Sequence, residues 1–575
     1  MFSLQVISAT LLASPWLGVV YAQSTSDSAS LSIIPSETSA AVLLHTESTS
    51  TYSESNVPTG TPLPGNYGGP LRPQVHFSPP VGFMNDPNGI DTDNPTALVA
   101  GNVHWGHATS EDLYSWTNQP IAIFPGGPDE GIFSGSAVID ANNTSGFFPN
   151  QTNGVVAIYT LNTPERQTQE IAYSYDNGYS FIKYAGNPVI GSNSTQFRDP
   201  KVIWHEPTQR WVMVVAYPVD FEVGIFSSPN LTTWTAESNF SHYGITGLQY
   251  ECPNLVELPV VGGGGESGTL PDTLWVMQIS INPGAPLGGS ITEYFPGNFN
   301  GTHFEALDST TKLTDFAKDN YAGQFFYNIP SGQDQVSINW ASNWQYTNVV
   351  PTGQEGFRSS MSVPRGHYIA DLERVGLSMI SYPYNISSVI DTELASNSSL
   401  GNGTLVADYS GVESGAVYFE ANITGLTDAS SLSGTLNFTL MSSATGETVS
   451  GGTFLSSGDV WLDRGHTEGL VSNPFFNGKF SQTRLYDGNG SWNISVIVDR
   501  SIIELFLNGG QLGATSVFFP TQPLDLLILR VAGLNENASA SVGVWSLRAA
   551  WLDQADANGT VLGNLTTTDN STVEA

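Results

Sequence analysis

Short apolar segments separated by turn-forming residues recur along most of the chain. Residues 155–159, 211–215, 223–226, 274–277 and 336–340 are each rich in β-branched and aromatic side chains. Clusters of Gly, Pro, Asn and Asp lie between these segments, which is typical of strands joined by turns. No long stretch repeats its apolar residues with the spacing of an amphipathic helix. The pattern therefore predicts an all-β protein.

Two kinds of β-structure follow one another along the chain. In the first part, short strands alternate with long, aromatic-rich loops, which favours a β-propeller built from four-stranded blades. Later segments such as residues 492–498 and 503–507 are longer and alternate between apolar and other positions, which is typical of a two-layer sandwich. We therefore predict a catalytic propeller over residues 70–365 and a β-sandwich over residues 366–575.

The N-terminal region is typical of an exported protein. Residues 1–22 contain an apolar run that ends in a small-x-small sequence (VYA), as in a secretory signal peptide. A Ser-Pro pair interrupts the run, which is too short for a membrane anchor. Residues 23–69 are rich in Ser, Thr and Pro and contain few large apolar side chains, so we expect a disordered leader. The sequence predicts a secreted protein.

The number and sign of the charges restrict the possible partners. Only 12% of the residues are charged, and 52 Asp and Glu against 17 Lys and Arg give a formal net charge of −35. Nucleic acids and anionic membranes are bound through clusters of Lys and Arg, so this surface would repel both. A neutral sugar is compatible with the surface. We therefore expect a small sugar as the partner and neither nucleic acid nor a membrane.

Cysteine and asparagine usage fit the same compartment. Cys252 is the only cysteine, so no intrachain disulfide can form. Asn-x-Ser/Thr sequons are abundant, as expected of a glycosylated exported protein. They include Asn143, Asn150, Asn230, Asn300, Asn385, Asn437, Asn493 and Asn564.

Three acidic segments in the first β region carry the candidate chemistry. They are residues 83–89 (FMNDPNG), 197–200 (FRDP) and 250–253 (YECP), and each has a carboxylate close to a proline. Glycosidases need two carboxylates, one nucleophilic and one that donates a proton. Taken singly, each segment has an ordinary interpretation as a turn, a surface ion pair or a solvated carboxylate. Taken together and in this order, they resemble the defining motifs of glycoside hydrolase family 32, the invertases and exo-inulinases.

The resemblance extends over nearly all of the chain from residue 76 to about residue 552. What it implies is a five-bladed β-propeller that carries the active site, followed by a C-terminal β-sandwich. Other segments similar to the family are residues 105–110 (WGHATS), 131–136 (GIFSGS), 147–148 (FF), 282–284 (NPG), 340–346 (WASNWQY) and 502–506 (IIELF).

The motif match also implies roles for single residues. Asp86 corresponds to the nucleophile, Glu251 to the general acid/base, and Asp199 to a transition-state stabiliser that hydrogen-bonds fructose hydroxyls. The substrate-binding residues implied are Asn85, Phe133, Ser134, Arg198, Trp105 and Trp344, the last of which is either a core ring or a ring that stacks on sugar.

Physical reasoning supports this assignment. The transferred sugar resembles an oxocarbenium ion, which a carboxylate against the anomeric carbon both attacks and stabilises. Two successive inversions retain the configuration, so we expect about 5–5.5 Å between the carboxyl groups of Asp86 and Glu251. Glu251 must carry a proton in order to donate it to the leaving oxygen, which predicts an acidic pH optimum.

We predict no metal and no other cofactor. His104 and His107 have the spacing of metal ligands, but no cluster of carboxylates or cysteines accompanies them. The glycines at residues 262–265 lack the Lys-Ser/Thr of a phosphate-binding loop and are predicted to form a flexible turn.

One segment departs from the family. Only the fifteen residues 90–104 separate the first acidic segment from the Trp105 segment, whereas family members have room there for two strands and for a glutamine that contacts fructose. Two strands of ordinary length do not fit, so the first blade is predicted to lack one or two strands. Two explanations compete: a gene model that omits a small exon, or a real deletion that impairs Asp86. The intact motifs elsewhere favour the first.

The sequence thus leaves three functions to compare. The leading hypothesis is hydrolysis of the terminal β-fructofuranosyl bond of sucrose, and also of fructans. A fructosyltransferase would use the same carboxylates and pass fructose to a sugar. A catalytically impaired carbohydrate-binding relative is the third alternative, suggested by the shortened blade. The sandwich is expected to cover the side of the propeller or to mediate a homodimer.

Overall fold

The computed structural model describes residues 65–88, 92–94, 97–261, 270–329, 334–372, 374–427, 432–484, 486 and 488–551, with the backbone alone for residues 92–94. The predicted signal peptide, the predicted leader up to residue 64, the predicted turn at residues 262–265 and the Asn564 sequon lie outside the described residues.

Strands form nearly all of the regular structure. The strands before residue 384 are β1 (Gly82–Met84), β2 (Thr92–Asn94), β3 (His104–Trp105), β4 (Ala108–Ser110), β5 (Trp116–Asn118), β6 (Gly131–Ile139), β7 (Val155–Asn162), β8 (Gln167–Ser174), β9 (Ile182–Lys183), β10 (Arg198–His205), β11 (Arg210–Tyr217), β12 (Glu222–Ser228), β13 (Thr235–Ser241), β14 (Tyr250–Val261), β15 (Thr273–Ile281), β16 (Ile291–Phe299), β17 (Phe304–Ala306), β18 (Lys312–Leu313), β19 (Tyr321–Phe325), β20 (Gln335–Trp340), β21 (Phe357–Arg358), β22 (Arg365–Leu372) and β23 (Gly376–Pro383).

The later strands are β24 (Ile390–Asn397), β25 (Thr404–Asp408), β26 (Ala416–Thr424), β27 (Thr435–Met441), β28 (Thr448–Phe454), β29 (Asp459–His466), β30 (Lys479–Thr483), β31 (Ser491–Asp499), β32 (Ile502–Leu507), β33 (Leu512–Val517), β34 (Leu526–Ala532) and β35 (Ser539–Leu547). Short 3-10 helices are Glu206–Thr208, Pro218–Asp220, Thr347–Val349, Pro351–Glu355 and Ile386–Ser388. No helix in the described part of the chain is long and apolar enough to cross a bilayer.

The strands up to β23 form the five blades of a propeller, apart from β4 and β5, which pair as a separate two-stranded sheet. Blade one is the sheet β21-β1-β2-β3, blade two is β6-β7-β8-β9, and blade three is β10-β11-β12-β13. Blade four contains β14 to β18, and blade five contains β19, β20, β22 and β23. A short parallel pairing of β14 with β22 joins the last two blades. The predicted propeller is therefore confirmed.

Blade one differs from its prediction. It has four strands rather than two or three, because β21 crosses from the end of the propeller and pairs in parallel with β1. The strands are short instead: β1 and β2 have three residues each and β3 and β21 have two, against eight in β7 and β8. The reduction is thus in strand length and not in strand number.

The strands from β24 onward form the predicted two-layer sandwich. One sheet has the order β24-β35-β26-β31-β32-β33 and the other β25-β34-β27-β28-β29-β30. Apolar side chains from both sheets, such as Phe419 and Leu505 from one and Phe438 and Leu529 from the other, pack into a single buried core. The alternation in the sequence places these side chains on the inner faces.

The border between the two units lies later than the sequence suggests. The predicted border at residue 365 falls on the first residue of β22, which hydrogen-bonds with β20 and β23 inside blade five. The sandwich begins with β24. Strands β22 and β23 have eight residues each, like many sandwich strands, so strand length alone does not separate them from the second unit.

A fully buried ionic cluster joins the two units. His76 lies between two carboxylates of the sandwich, with Nδ1 at 2.9 Å from Asp499 Oδ2 and Nε2 at 3.2 Å from Glu504 Oε1. Arg365 of β22 donates from Nε to the second oxygen of Glu504 at 3.0 Å and lies 3.4 Å from Asp315. Because burial without a partner would be very unfavourable for each charge, these groups must remain together.

The cluster predicts how stability depends on pH. Burial lowers the pKa of His76, but the hydrogen bonds and charges of Asp499 and Glu504 outweigh it and raise that pKa to about 9. A histidine with a raised folded-state pKa stabilises the protein fully below its unfolded value, and this contribution is lost as the pH rises towards 9. We expect the melting temperature to fall between pH 7 and pH 9 by more in the wild type than in His76→Gln, measured by calorimetry. Equal slopes in the two proteins would contradict this assignment.

Candidate active site

The inner strands of the five blades bring the polar residues of the site together. The residues concerned are Asp86 just after the end of β1, Ser134 in β6, Asp199 in β10, Glu251 in β14 and Tyr321 in β19. The inner strands are tied to one another near the same level. Examples are the bonds from Gly135 N–H to Asn88 Oδ1 (2.9 Å), Ser136 Oγ to Pro200 O (3.0 Å) and Asn254 Nδ2 to Gly323 O (2.8 Å).

Four of the five inner strands are bulged where the site residue lies. The register breaks between Phe133 and Gly135, Arg198 and Lys201, Glu251 and Asn254, and Tyr321 and Gln324. A bulge turns a side chain away from its regular face of the sheet. In three of these bulges a residue other than glycine has a left-handed backbone: φ is 66° at Asp199, 46° at Cys252 and 51° at Ala322.

Asp86 is buried and is held by neutral donors. Its Oδ2 accepts a hydrogen bond from Ser134 Oγ at 2.7 Å and lies 3.3 Å from Cys252 Sγ. The Asn88 side chain donates to the backbone carbonyl of Asp86 at 2.8 Å. Burial raises the pKa of Asp86 above its ordinary value; the hydrogen bonds from Ser134 and Asn85 oppose the shift, and the charge of Glu251 adds to it.

Asp199 lies against the strand that carries Glu251. Its Oδ2 accepts the backbone N–H of Cys252 at 3.0 Å, and its own N–H donates to Thr160 Oγ1 at 3.1 Å. Burial raises the pKa of Asp199; Arg198 opposes this shift, and the charges of Glu251 and Asp86 add to it. The bulge that gives Asp199 its left-handed backbone therefore places a third carboxylate beside the other two.

Glu251 has a different environment from Asp86. Arg198 donates to its Oε1 from Nη2 at 2.8 Å and from Nε at 3.2 Å, and Tyr321 donates its hydroxyl to Oε2. The side chain of Glu251 is 14% exposed, so it remains accessible from the solvent side. Asp86 is thus held by a hydroxyl and a thiol, whereas Glu251 is held by the guanidinium of Arg198 and the phenol of Tyr321.

Arg198 is itself held by three glutamines. Nη2 donates to Gln249 at 3.1 Å, and Nη1 donates to Gln196 at 3.0 Å and to Gln167 at 3.4 Å. Burial lowers the pKa of Arg198, but the charges of Glu251 and Asp199 outweigh it, and the net shift is upward. The guanidinium is therefore a fixed cation beside Glu251 and Asp199.

The structure brings most of the predicted site residues together. Asp86, Ser134, Asp199, Glu251 and Arg198 are connected by direct contacts or through the backbone of Cys252. Asn85 is half-buried and its side chain hydrogen-bonds Asp86. Phe133 is half-buried on β6, immediately before Ser134.

The two predicted tryptophans lie in different surroundings. Trp105 is fully buried in the core between blades one and two, and its Nε1 donates to the carbonyl of Phe133 at 3.1 Å. The prediction that Trp105 contacts substrate is therefore wrong for this structure; the ring supports Phe133 from behind. Trp344 is half-buried and packs 4.9 Å from Trp340 and 6.1 Å from Phe83, measured between ring centroids.

Sequence reasoning missed Tyr321 and the three glutamines. Tyr321 lies outside the three acidic motifs. Its hydroxyl bonds Glu251, which is 70 residues earlier in the sequence. Gln196 and Gln249 each lie two residues before an identified site residue, which is the one local signal that could have indicated them. Cys252 is buried, and its thiol contacts the carboxylates of Asp86 and Asp199.

The histidine pair does not form part of a larger ligand cluster. His104 Nδ1 lies 2.7 Å from the carbonyl oxygen of Asn102. Within the described ranges, no group of three or more His, Cys, Asp and Glu side chains could hold a metal ion.

Comparison with known proteins gives the same picture between residues 76 and 546. Residues 76–379 match the model of the glycosyl hydrolases family 32 N-terminal domain, and residues 385–546 match the family 32 C-terminal model. The two models meet close to the border between β23 and β24.

Individual relatives come from fungi. Invertase 2 of Saccharomyces cerevisiae is 40% identical over 505 residues, covering 78% of this chain and 90% of that protein. An extracellular exo-inulinase of Meyerozyma guilliermondii is 40% identical over 479 residues, with the same coverage of 78% and 90%. Among solved structures, fructofuranosidase from Schwanniomyces occidentalis in complex with fructose is 35% identical with a TM-score of 0.76, covering 84% of this chain and 100% of that chain.

The surroundings of Cys252 predict an unreactive thiol. The side chain is 2% exposed, and burial together with the charges of Asp199, Asp86 and Glu251 raises the pKa of the thiol well above its ordinary value. Since the thiolate is the reactive form, we expect no reaction with a disulfide reagent in the native protein. One equivalent should react after unfolding, because Cys252 is the only cysteine. Rapid labelling of the native protein would contradict the described packing.

Proposed function

The chain belongs to glycosyl hydrolase family 32, and we propose that it is a secreted, retaining β-fructosidase that hydrolyses the terminal β-D-fructofuranosyl bond of sucrose and of fructans. One observation carries the proposal: Asp86, Asp199 and Glu251 converge from three blades on one cluster, and Asp86 and Glu251 have opposite kinds of partner. The names of the relatives, invertase and exo-inulinase, support the substrate class.

In the first step, Asp86 acts as the nucleophile and Glu251 as the acid. Glu251 gives its proton to the oxygen of the leaving sugar while a carboxylate oxygen of Asp86 bonds to the anomeric carbon of fructose. The bond between that carbon and the leaving oxygen breaks with its electron pair. Ser134 and Cys252 both contact Oδ2 of Asp86 and so fix the rotation of the carboxyl group.

In the second step, water replaces the enzyme. Glu251, now a carboxylate, takes a proton from water as the water oxygen attacks the anomeric carbon, and the bond to Asp86 breaks. The donors Arg198 and Tyr321 suit this stage, because they stabilise Glu251 as a negative base. Two inversions at the same carbon give retention of configuration.

Asp199 and Arg198 act on the fructosyl group without forming a bond to it. Asp199 accepts hydrogen bonds from fructose hydroxyls, and its Oδ2 is already oriented by the N–H of Cys252. The negative charge of Asp199 also stabilises positive charge on the sugar ring. Arg198 limits the repulsion between Asp199 and Glu251 before the sugar binds.

Export and dimerisation are part of the proposal. A signal peptide over residues 1–22 would bring the protein outside the cell, and one relative is named extracellular. The sandwich has exposed apolar side chains, including Val406 and Phe454 on the same sheet, which suit contact with a second copy. Light scattering on the secreted protein distinguishes a dimer from a monomer.

The direct test is the product mixture from sucrose. We expect the secreted protein at about pH 5 to release glucose and fructose in equal amounts. With methanol added as acceptor, the methyl fructoside should be the β-anomer only, because the reaction retains configuration. Excess glucose with trisaccharide products would indicate a transferase instead.

Variants at the two proposed catalytic carboxylates complete this test. Asp86→Asn and Glu251→Gln should each lower kcat by roughly 10⁴-fold or more, with unchanged melting temperatures as the control for folding. A folded wild-type protein with no turnover would support the impaired, carbohydrate-binding alternative and contradict the proposal.

A smaller change tests the environment of the nucleophile. The Ser134 hydroxyl lowers the pKa of Asp86, so Ser134→Ala should raise that pKa and move the acidic limb of the kcat/KM profile to higher pH. The shift is expected because Asp86 must be ionised in order to attack. Thr at the same position keeps the hydroxyl and serves as the control. An unmoved acidic limb in Ser134→Ala would mean that another group sets it.

A further inference from the structure

Glu504 belongs to the sandwich, but it contacts two segments of the propeller, the one before β1 and the one after β21. We call the pairing of β1 with β21 the closure of the propeller. Oε1 of Glu504 accepts from His76 Nε2 at 3.2 Å and from the backbone N–H of Val363 at 2.6 Å. Its Oε2 accepts from Arg365 Nε at 3.0 Å. His76 precedes β1, whereas Val363 and Arg365 follow β21. A single carboxylate therefore connects the segment before β1 with the segment between β21 and β22.

Asp499 holds the segment before β1 through more hydrogen bonds than Glu504 does. Its Oδ1 accepts the N–H of Gln74 at 2.7 Å, and its Oδ2 accepts the N–H groups of Val75 at 2.7 Å and His76 at 2.9 Å. The Nδ1 of His76 adds a fourth bond at 2.9 Å. Three successive backbone N–H groups pointed at one anion leave the segment before β1 little conformational freedom.

The β1–β21 pairing, which lies next to the segments that Asp499 and Glu504 contact, is short. Strands β1 and β21 pair over only two residue pairs, Gly82 with Phe357 and Phe83 with Arg358. By contrast, β7 and β8 pair over eight. Two further backbone bonds connect the same two segments, from Gly82 N–H to Gly356 O at 2.9 Å and from Met361 N–H to Phe77 O at 2.8 Å. Since each hydrogen bond adds only about 1 kcal/mol, this ladder by itself holds β1 weakly.

The position of Asp86 depends on this closure more than the other site residues do. Asp86 follows the end of β1 by two residues, and β1 itself has three. Asp199 and Glu251 instead lie within strands of eight and twelve residues that are paired along their length inside blades three and four. A movement of β1 would therefore displace the nucleophile relative to the acid/base and the sugar-binding groups.

We propose that Asp499 and Glu504 are positioning residues for the nucleophile. Together with His76 and Arg365 they form a clasp through which the sandwich holds the ends of the propeller and thereby sets the place of Asp86. The sandwich is then a necessary part of the catalytic centre, although none of its residues is assigned to the sugar. This inference rests on the proposed function of Asp86.

A clasp and a merely stabilising contact make different predictions. If the cluster only stabilises the fold, its loss lowers the fraction of folded enzyme and leaves each folded molecule unchanged. If it positions Asp86, its loss lowers kcat in molecules that are folded. KM changes little in that case, because Ser134, Arg198 and Asp199 bind the sugar from other blades.

The experiment compares two neighbouring residues of β32. Glu504→Gln removes the charge of the clasp, and Leu505→Ala removes a fully buried side chain that faces the core of the sandwich. We expect Glu504→Gln to lower kcat per folded molecule on sucrose by roughly 10–100-fold, with KM within about twofold. Leu505→Ala should lower the melting temperature and leave kcat per folded molecule unchanged.

Hydrogen exchange supplies a readout that does not need activity. Exchange in peptides covering residues 74–88 should rise in Glu504→Gln and stay at the wild-type level in Leu505→Ala. Wild-type kcat per folded molecule in Glu504→Gln would overturn the proposal. If that variant does not fold, Asp499→Asn takes its place with the same criteria. A folded wild type without turnover would refute the proposed function, whereas unchanged exchange in Glu504→Gln would refute the clasp.

Discussion

The arrangement of the site depends on interruptions of the β-ladder that recur at the same level in four blades. In an uninterrupted strand, successive side chains point to opposite faces, and few of them would point along the axis where the five inner strands meet. The bulges at Phe133, Arg198, Glu251 and Tyr321 release that restriction. They require left-handed backbone at three residues with side chains, which costs about 1–3 kcal/mol at each. The packing of the blades around these residues offsets that cost and keeps the strained backbone in place.

The electrostatics of the site follow from the same geometry. Three carboxylates lie close together with one guanidinium among them, and burial and mutual repulsion raise the pKa of both Asp86 and Asp199. In the proposed reaction, positive charge develops on the sugar between these groups. The carboxylates that repel one another attract this positive charge, so the cluster stabilises the transition state more than the ground state. The hydrogen bonds of Arg198 to Gln249 and Gln196 hold its guanidinium next to Glu251.

The parts of this picture that the sequence could supply are those written in adjacent residues. The strand pattern indicated both β units, and the acidic motifs indicated Asp86, Asp199 and Glu251 because their order along the chain resembles the family 32 motifs. Tyr321 could not be found in this way, since its contact depends on how the blades are arranged around the axis. Trp105 lies in a motif but is part of the core, because a ring next to a site residue can support it from behind. Blade one has four strands only because β21 pairs with β1. These two strands are far apart in the sequence, and a local hydrophobic pattern does not predict such a pairing.

The clasp also affects the order in which the protein can mature. His76 is made early, but its partner Glu504 is 428 residues farther along the chain. At about 5–20 residues per second, translation separates the two by roughly 20–90 s. During that time blades two to four can form from local pairings, whereas β1 waits for β21 and its entrance segment waits for the sandwich. In the proposed mechanism, Asp86 is therefore made early but reaches its final position late, because the segment before β1 is not held until the strand that carries Glu504 has left the ribosome.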